Sequence, residues 1–216
     1  MTKDLIKFAN YSVKILQETF PNADIELDYD KNDPWQLLVV VSLSAQSTDK
    51  KVNEISPDLF KRFPQIDDFA HASEEEIAFY IKKLGLYRNK AKNLKAAAIK
   101  IIQQFNKNVP NTRELLETLP GVGKKTSAVI VANAFNTPAI AVDTHVARIS
   151  YRLGLSKNTN PDKIEQDLCS LLPDYLWFIA HHTFILHGRR ICLARKPQCS
   201  VCPLDKHCPK IGIIKK

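Results

Sequence analysis

Leu119-Pro120-Gly121-Val122-Gly123-Lys124-Lys125-Thr126 stands between two helical patterns. Upstream, Asn111 is placed to cap a helix, and Glu114 lies three residues on, where a capping-box carboxylate belongs. The short helix they open is expected to run to Leu119. Pro120 and the two glycines then force a turn, because glycine takes backbone angles that other residues resist. Ser127-Ala128-Val129-Ile130-Val131 supplies the mostly apolar body of a second helix. The product is a helix, a tight hairpin and a helix.

Such a hairpin has a use. Gly121 and Gly123 carry no side chains, so a phosphate can approach the backbone N–H groups, and the second helix points its positive end to the same place. This holds a nucleic-acid backbone without reading bases. A plain helix–helix turn is the simpler alternative. A nucleotide-binding P-loop is excluded, because Thr118 stands where it needs glycine and Lys125 where it needs Ser or Thr. Lys125, beside Lys124 in the first turn of the second helix, is a candidate amine nucleophile; the plainer role is a solvated contact to phosphate. Further on, Asp143 precedes Thr144-His145-Val146 and reads as a helix N-cap. A carboxylate near such an amine is a workable pair for chemistry at a sugar carbon.

The rest of the chain reads as helical. Leu5, Ile6, Ala9, Val13, Leu16 and Phe20 follow steps of three and four. Pro21 to Lys31 is acidic and irregular, a connection. A helix is expected from Asp33 or Pro34, carrying Trp35 and the run Leu37-Leu38-Val39-Val40-Val41 inward. Those valines suit a strand equally well, but no partner strand is evident. Ser44-Ala45-Gln46-Ser47-Thr48-Asp49 is a polar break. Ser73-Glu74-Glu75-Glu76 is a capping box for a helix through Ile81, Leu84-Gly85-Leu86-Tyr87 a turn, and Lys90 to Phe105 a long helix. Further helices are expected around Thr144–Leu153, Asp162–Leu172 and Trp177–His187. His181, His182 and His187 offer no pair at i, i+4 spacing, so hydrogen bonding is favoured over metal binding. The fold class is all-α.

Charge is uneven. Of the net +8, +7 falls between His187 and Lys216, a segment with eight Lys or Arg and one Asp. A basic cluster of this kind attracts polyanions, DNA foremost, although a solvated basic end is the plain alternative. Met1 to Phe20 is broken by Lys3, Asp4, Lys7 and Lys14 and has no signal-peptide core. No apolar run is long enough to span a membrane. A cytoplasmic location, with DNA, is expected.

Four of the five cysteines crowd together as Cys192-x6-Cys199-x2-Cys202-x5-Cys208. Such crowding in a cytoplasmic chain suggests a metal centre rather than disulfides. Thiolates suit zinc or an iron–sulfur cluster alike, and His207 is an alternative zinc ligand. Cys169, on a partly apolar helix, reads as a small buried residue.

In combination, Leu119-Pro120-Gly121-Val122-Gly123-x-Lys125-Thr126 and Val142-Asp143-Thr144-His145-Val146-x-Arg148 resemble the helix-hairpin-helix DNA glycosylases. The similarity runs from about Asp33-Pro34-Trp35 to Cys208. It implies two helical parts, a six-helix barrel domain at 27–137 bearing the hairpin and an iron–sulfur domain made of 1–26 and 138–216. Lys125 and Asp143 would then face an active-site cleft between them. It implies base-excision repair: removal of oxidised or ring-saturated pyrimidines, followed by abasic-site cleavage through a Schiff base and β-elimination. In that scheme Lys125 attacks the sugar and Asp143 steadies its positive charge. Gln46 fills the gap left by the extruded nucleotide and Leu86 wedges the stack. Gly121, Gly123, Lys124 and His145 join the DNA contacts. The resemblance also selects a [4Fe–4S] cluster on Cys192, Cys199, Cys202 and Cys208, which would hold Arg195 and Lys196 as a rigid basic finger. The implied partner is double-stranded DNA with damaged bases or abasic sites, bound by a monomer. Lys124 stands where the family commonly has Arg, a mild departure.

Two other functions compete. A monofunctional mismatch glycosylase lacks the hairpin lysine and carries an additional C-terminal domain, whereas this chain has Lys125 and stops eight residues after Cys208. A non-catalytic iron–sulfur DNA-binding protein would use hairpin and cluster equally well, and only the Lys125/Asp143 pair argues against it.

Overall fold

A computed structural model describes residues 2–213. The chain forms two compact units, Met1–Ile25 with Pro138–Lys216, and Glu26–Thr137. Helix α1 (Lys3–Thr19) belongs to the first. The second holds α2 (Pro34–Ser44), α3 (Asp49–Arg62), α4 (Ile66–His71), α5 (Glu74–Ile81), α6 (Tyr87–Phe105), α7 (Arg113–Leu116) and α8 (Lys124–Ala134). The chain then returns to the first unit with α9 (Thr144–Arg152), α10 (Pro161–Leu171) and α11 (Trp177–Arg190). Every regular element among the described residues is helical, and no described helix is long and apolar enough to cross a membrane.

In the second unit, α2 starts where Asp33 accepts from the amides of Trp35 and Gln36, with Pro34 in the first turn. Its residues Leu37 to Val41 and Leu43 are all buried. The helix therefore lies inside the unit, and packing from all sides overrides the strand preference of its valines. It packs on α3, α6 and α8. Ser73 and Glu76 close the capping box of α5 through reciprocal bonds of 3.0 and 2.9 Å. Helices α4 and α5 lean on α6, and Trp35, Phe63 and Phe69 meet edge-on or tilted in the core.

Two local expectations are corrected. The cap before the hairpin is Thr112, whose hydroxyl accepts from the Leu115 amide, rather than Asn111. The helix it opens ends at Leu116, because tight turns follow: Leu119 N–H bonds to Leu116 C=O and Val122 N–H to Leu119 C=O. Helix α6 begins at Tyr87, three residues earlier than its periodicity suggests, since Leu86 takes a left-handed conformation and its carbonyl accepts from the Lys90 amide.

In the first unit, α1 turns Ala9, Ser12, Val13 and Leu16 inward. These meet Val146 and Ile149 of α9, Leu168 and Leu171 of α10, and Phe184 of α11 in one core. Leu16, Leu168 and Phe184 are wholly removed from water, each contributing about 1.5–3 kcal/mol of transfer free energy. Leu204, from the cysteine segment, is buried in the same core and anchors that segment to the helices.

Candidate functional site

The hairpin lies in the second unit and is exposed at Gly121, Gly123, Lys124 and Lys125. Gly121 has φ +81°, and a Cβ there would come within 2.9 Å of the Asn93 side chain, so the position needs glycine twice over. Gly123 is the extended N-cap of α8 and offers no side-chain cap. First-turn amides of a helix lack partners within it, so an uncapped, exposed start suits an anion. Two bonds brace the hairpin from behind. Ser127 Oγ donates to Glu117 at 2.7 Å, and Lys100 Nζ donates to the Thr118 carbonyl at 2.8 Å.

The same unit carries Gln46 and Leu86. Both lie on turns in the left-handed region, with φ +55° and +56°. Gln46 is exposed, and Leu86 is 57% exposed, unusual for a leucine on a turn. The turns touch: a Cβ on Gly85 would stand 3.7 Å from the Gln46 carbonyl oxygen. Behind them Lys90 is buried, its ammonium donating to the Leu43 carbonyl at 2.8 Å and to Ser47 Oγ at 3.0 Å. Burial pulls its pKa below the usual lysine value.

The first unit holds Asp143 and the cysteines. Asp143 caps α9, and its Oδ1 accepts from the amides of both His145 and Val146 at 2.8 Å. Both cap bonds use Oδ1, so Oδ2 takes no part in the cap. His145 Nδ1 lies 3.2 Å from Arg148 Nη2. Burial, with Arg148 and Arg189 adding to it, lowers the His145 pKa against the opposing pull of Asp143 and of a bond to the Gly188 main chain. Arg148 also donates to the carbonyls of Gly188 (2.8 Å) and Cys192 (3.2 Å). Gly188 permits this approach, since a Cβ there would meet Arg148 and His145 at 3.0 Å.

One turn on, Arg152 is buried and reaches further. It donates to the carbonyls of Cys192, Leu193 and Ala194 and to Cys192 Sγ, at 2.7 to 3.3 Å. Its own carbonyl accepts from the Ile211 amide at 3.2 Å, and Cys208 Sγ stands 3.7 Å away. Arg152 thus holds both ends of the cysteine segment. All four cysteines line one small pocket, partly open to solvent, together with Arg152, Leu153, His187, Pro197 and Asp205. Among the described residues, no three of His, Cys, Asp and Glu stand close enough to share a single ion. Burial pushes the Cys202 thiol up to about 11 and raises Cys208 as well, with the neighbouring thiols adding to both. A cation at the thiols would reverse this preference. His187, its pKa pushed down to about 4 by burial and then by Arg148, packs its Nε2 3.7 Å from Cys202 Sγ. Arg195 and Lys196 are exposed on the loop between the first two cysteines, and Lys196 has φ +53°.

Residues 39–174 match the model of the HhH-GPD superfamily of base excision DNA repair proteins. The chain belongs to that superfamily. It is 46% identical to an endonuclease III of Synechocystis sp. over 196 residues, 90% of this chain and 89% of the relative. With an endonuclease III of Bacillus subtilis it shares 39% identity, covering 98% and 99% of the two chains. Its structure is similar to that of an endonuclease III trapped as a covalent intermediate with DNA, with TM-score 0.90, 40% identity and 97% of each chain covered.

The HhH-GPD chain contains site residues that sequence reading missed. Arg152 and His187 sit against the cysteines, and Lys90 sits under the Gln46 and Leu86 turns. One signal was available: Lys90 occupies the inward stripe of α6 with Leu94, Ala97 and Ile101, where a charge is out of place.

Proposed function

We propose that the chain is a DNA glycosylase of base-excision repair that removes oxidised or ring-saturated pyrimidines and then cleaves the abasic site. The observation that carries this reading is Lys125, exposed in the first turn of α8 directly after the uncapped Gly121-Val122-Gly123 hairpin of an HhH-GPD chain. The hairpin amides hold a phosphate, and Lys124 adds charge beside it. In the reaction the damaged nucleotide is turned out of the duplex, at a cost of a few kcal/mol. Gln46 occupies the vacated space and Leu86 wedges the stack. Lys125 Nζ attacks C1′ as the bond from C1′ to the base breaks, and the base leaves with that electron pair and is protonated. Asp143 stabilises the positive charge that develops on the sugar, using Oδ2, the oxygen not engaged in the cap. Loss of the amine proton opens the sugar to a Schiff base. Removal of a C2′ proton then expels the 3′ phosphate by β-elimination. His145, beside Arg148, contributes to the DNA-facing surface.

The cysteine pocket fits a [4Fe–4S] cluster, since its donor set is four thiols around one concavity, and the one carboxylate in the lining, Asp205, is paired with Lys210. Cys192, Cys199, Cys202 and Cys208 would hold it. When bound, it supplies a rigid frame for the loop. Arg152 orients Cys192, and Arg195 and Lys196 reach toward phosphate. The working partner is duplex DNA carrying damaged bases or abasic sites, and the enzyme acts as a monomer.

Incision of defined lesions tests this reading. Duplexes with oxidised pyrimidines should be cut on the 3′ side of the lesion, and borohydride should trap an adduct that maps to Lys125. Excision of adenine opposite a damaged guanine alone would replace the reading with a mismatch glycosylase. Binding without any excision would leave an iron–sulfur DNA-binding protein.

A further inference from the structure

We propose that Lys90 is a positioning residue for damage recognition: its buried ammonium fastens the Gln46 turn to the Leu86 turn and sets the spacing of the two groups that enter the duplex. The inference rests on the reading of Gln46 and Leu86 as those groups.

Lys90 is 8% exposed, and its ammonium donates to two neutral acceptors, the Leu43 carbonyl and Ser47 Oγ. Leu43 is in the last turn of α2, where carbonyls lack intrahelical partners and carry the negative end of the helix dipole. Helix α2 has no basic residue of its own in that turn, so α6 provides the cation. Ser47 follows Gln46 directly, and its amide closes the turn on the Ser44 carbonyl at 3.0 Å. The Lys90 amide bonds to the Leu86 carbonyl at 3.0 Å. One residue therefore grips the Leu86 turn through its backbone and the Gln46 turn through its side chain. The two turns also meet directly at Gly85 and the Gln46 carbonyl.

Packing alone does not call for a charge here. The position belongs to the apolar stripe of α6, and an apolar side chain of similar length would fill it without the desolvation cost of an ammonium. What an apolar residue lacks is the directed bond to each side of the Gln46 turn. Both probe residues hold left-handed backbone angles that non-glycine residues adopt only when their surroundings impose them. Lys90 is the group in contact with the chain on both.

The test uses the full-length, metal-loaded protein and compares affinity for a duplex containing a tetrahydrofuran abasic analogue with affinity for the same duplex undamaged. Lys90→Met should lower this ratio about tenfold, within the range of coupling between contacting residues, and leave affinity for undamaged DNA unchanged. Ser47→Ala, which removes one acceptor from a half-buried position, should move the ratio in the same direction by about threefold. In a Gln46→Ala/Leu86→Ala background, Lys90→Met should cause no further loss. A Lys90→Met protein that fails to fold leaves Ser47→Ala to decide by the same comparison. Should the Gln46/Leu86 variant lose discrimination while Lys90→Met and Ser47→Ala keep it, the inference is overturned and the recognition reading stands. A Lys90→Met loss that persists in full without Gln46 and Leu86 also overturns it. If the Gln46/Leu86 variant itself discriminates normally, the recognition reading fails, and the inference goes with it.

Discussion

The two units present their candidate functional groups in opposite ways. In the second unit, Gln46, Leu86, Gly121 and Lys125 stand exposed on turns or at a helix start, and the backbone aims them. In the first, Asp143, Arg148, Arg152 and the cysteines are half-buried or buried and held by a web of side-chain bonds to the main chain, Asp143 accepting from amides and the two arginines donating to carbonyls. Turns need only the right residues at a few positions, so a chemically active side chain on them is nearly independent of stability. A web of cations and carbonyls is different, because removing one member strands the buried acceptors it had satisfied. Chemistry and stability should therefore separate in the second unit and couple in the first.

The largest effect expected tests the first half of that contrast. Lys125→Ala should abolish borohydride trapping altogether, since only an amine of the protein leaves a reducible covalent link. DNA affinity should stay largely intact, because the hairpin amides still hold phosphate, and unfolding free energy should change by less than about 0.5 kcal/mol, as for an exposed residue. Lys124→Ala is the control, one residue away and about 100° around the helix. Adducts mapping to Lys124 would show the nucleophile misassigned.

Asp143→Asn comes next. Asparagine caps helices well, so stability should fall by less than about 2 kcal/mol, the upper range for losing a cap altogether. Base release should slow on the order of a hundredfold or more, the scale of losing one preorganised electrostatic group. A less stable protein that excises bases at the normal rate would reduce Asp143 to a cap.

Arg152→Met sharpens the contrast from the side of the web. It removes four donated bonds around Cys192, and bonds to a charged donor are worth about 1.5–3 kcal/mol apiece before relaxation and water compensate. A net loss of about 3 kcal/mol is expected in chemical denaturation, and, with the proposed cluster bound, faster release of iron to a chelator. A variant as stable as Lys125→Ala, with iron retained equally well, would erase the distinction between the units.

How much of this was legible in the sequence follows the same division. Caps and turns are local, so the Ser73–Glu76 box, the Asp33–Pro34 start, the hairpin and the cysteine spacing could all be read directly. Helices α3 and α4 were not. In α3 the inward set Val52, Ile55, Ser56 and Leu59 is diluted by charged neighbours, and Pro57 sits inside the helix, where proline ordinarily argues against one. The web was invisible for another reason. The acceptors of Lys90 lie 43 and 47 residues upstream, and those of Arg152 lie 40 to 42 residues downstream. Periodicity marks such a residue as misplaced but does not say what it holds.

The smallest effect expected concerns the one part of the first unit that behaves like the second. Arg195 and Lys196 are exposed, yet the chain just before them is gripped by Arg152 through the Leu193 and Ala194 carbonyls. The web thus aims two side chains that belong to no web themselves. If each neutralises one phosphate, Arg195→Ala with Lys196→Ala should lower the slope of log affinity against log salt by up to about two. Stability should stay within about 0.5 kcal/mol, because no buried group is stranded. Lys210 supplies an internal control, since its ammonium is already paired with Asp205 at 2.7 Å, and Lys210→Ala should move the slope less than either loop cation alone. Titrations by fluorescence anisotropy at several salt concentrations measure all three. An unchanged slope for the Arg195/Lys196 variant would remove the loop from the DNA contact, while leaving Arg152 and the cysteines as a structural centre that serves the fold alone.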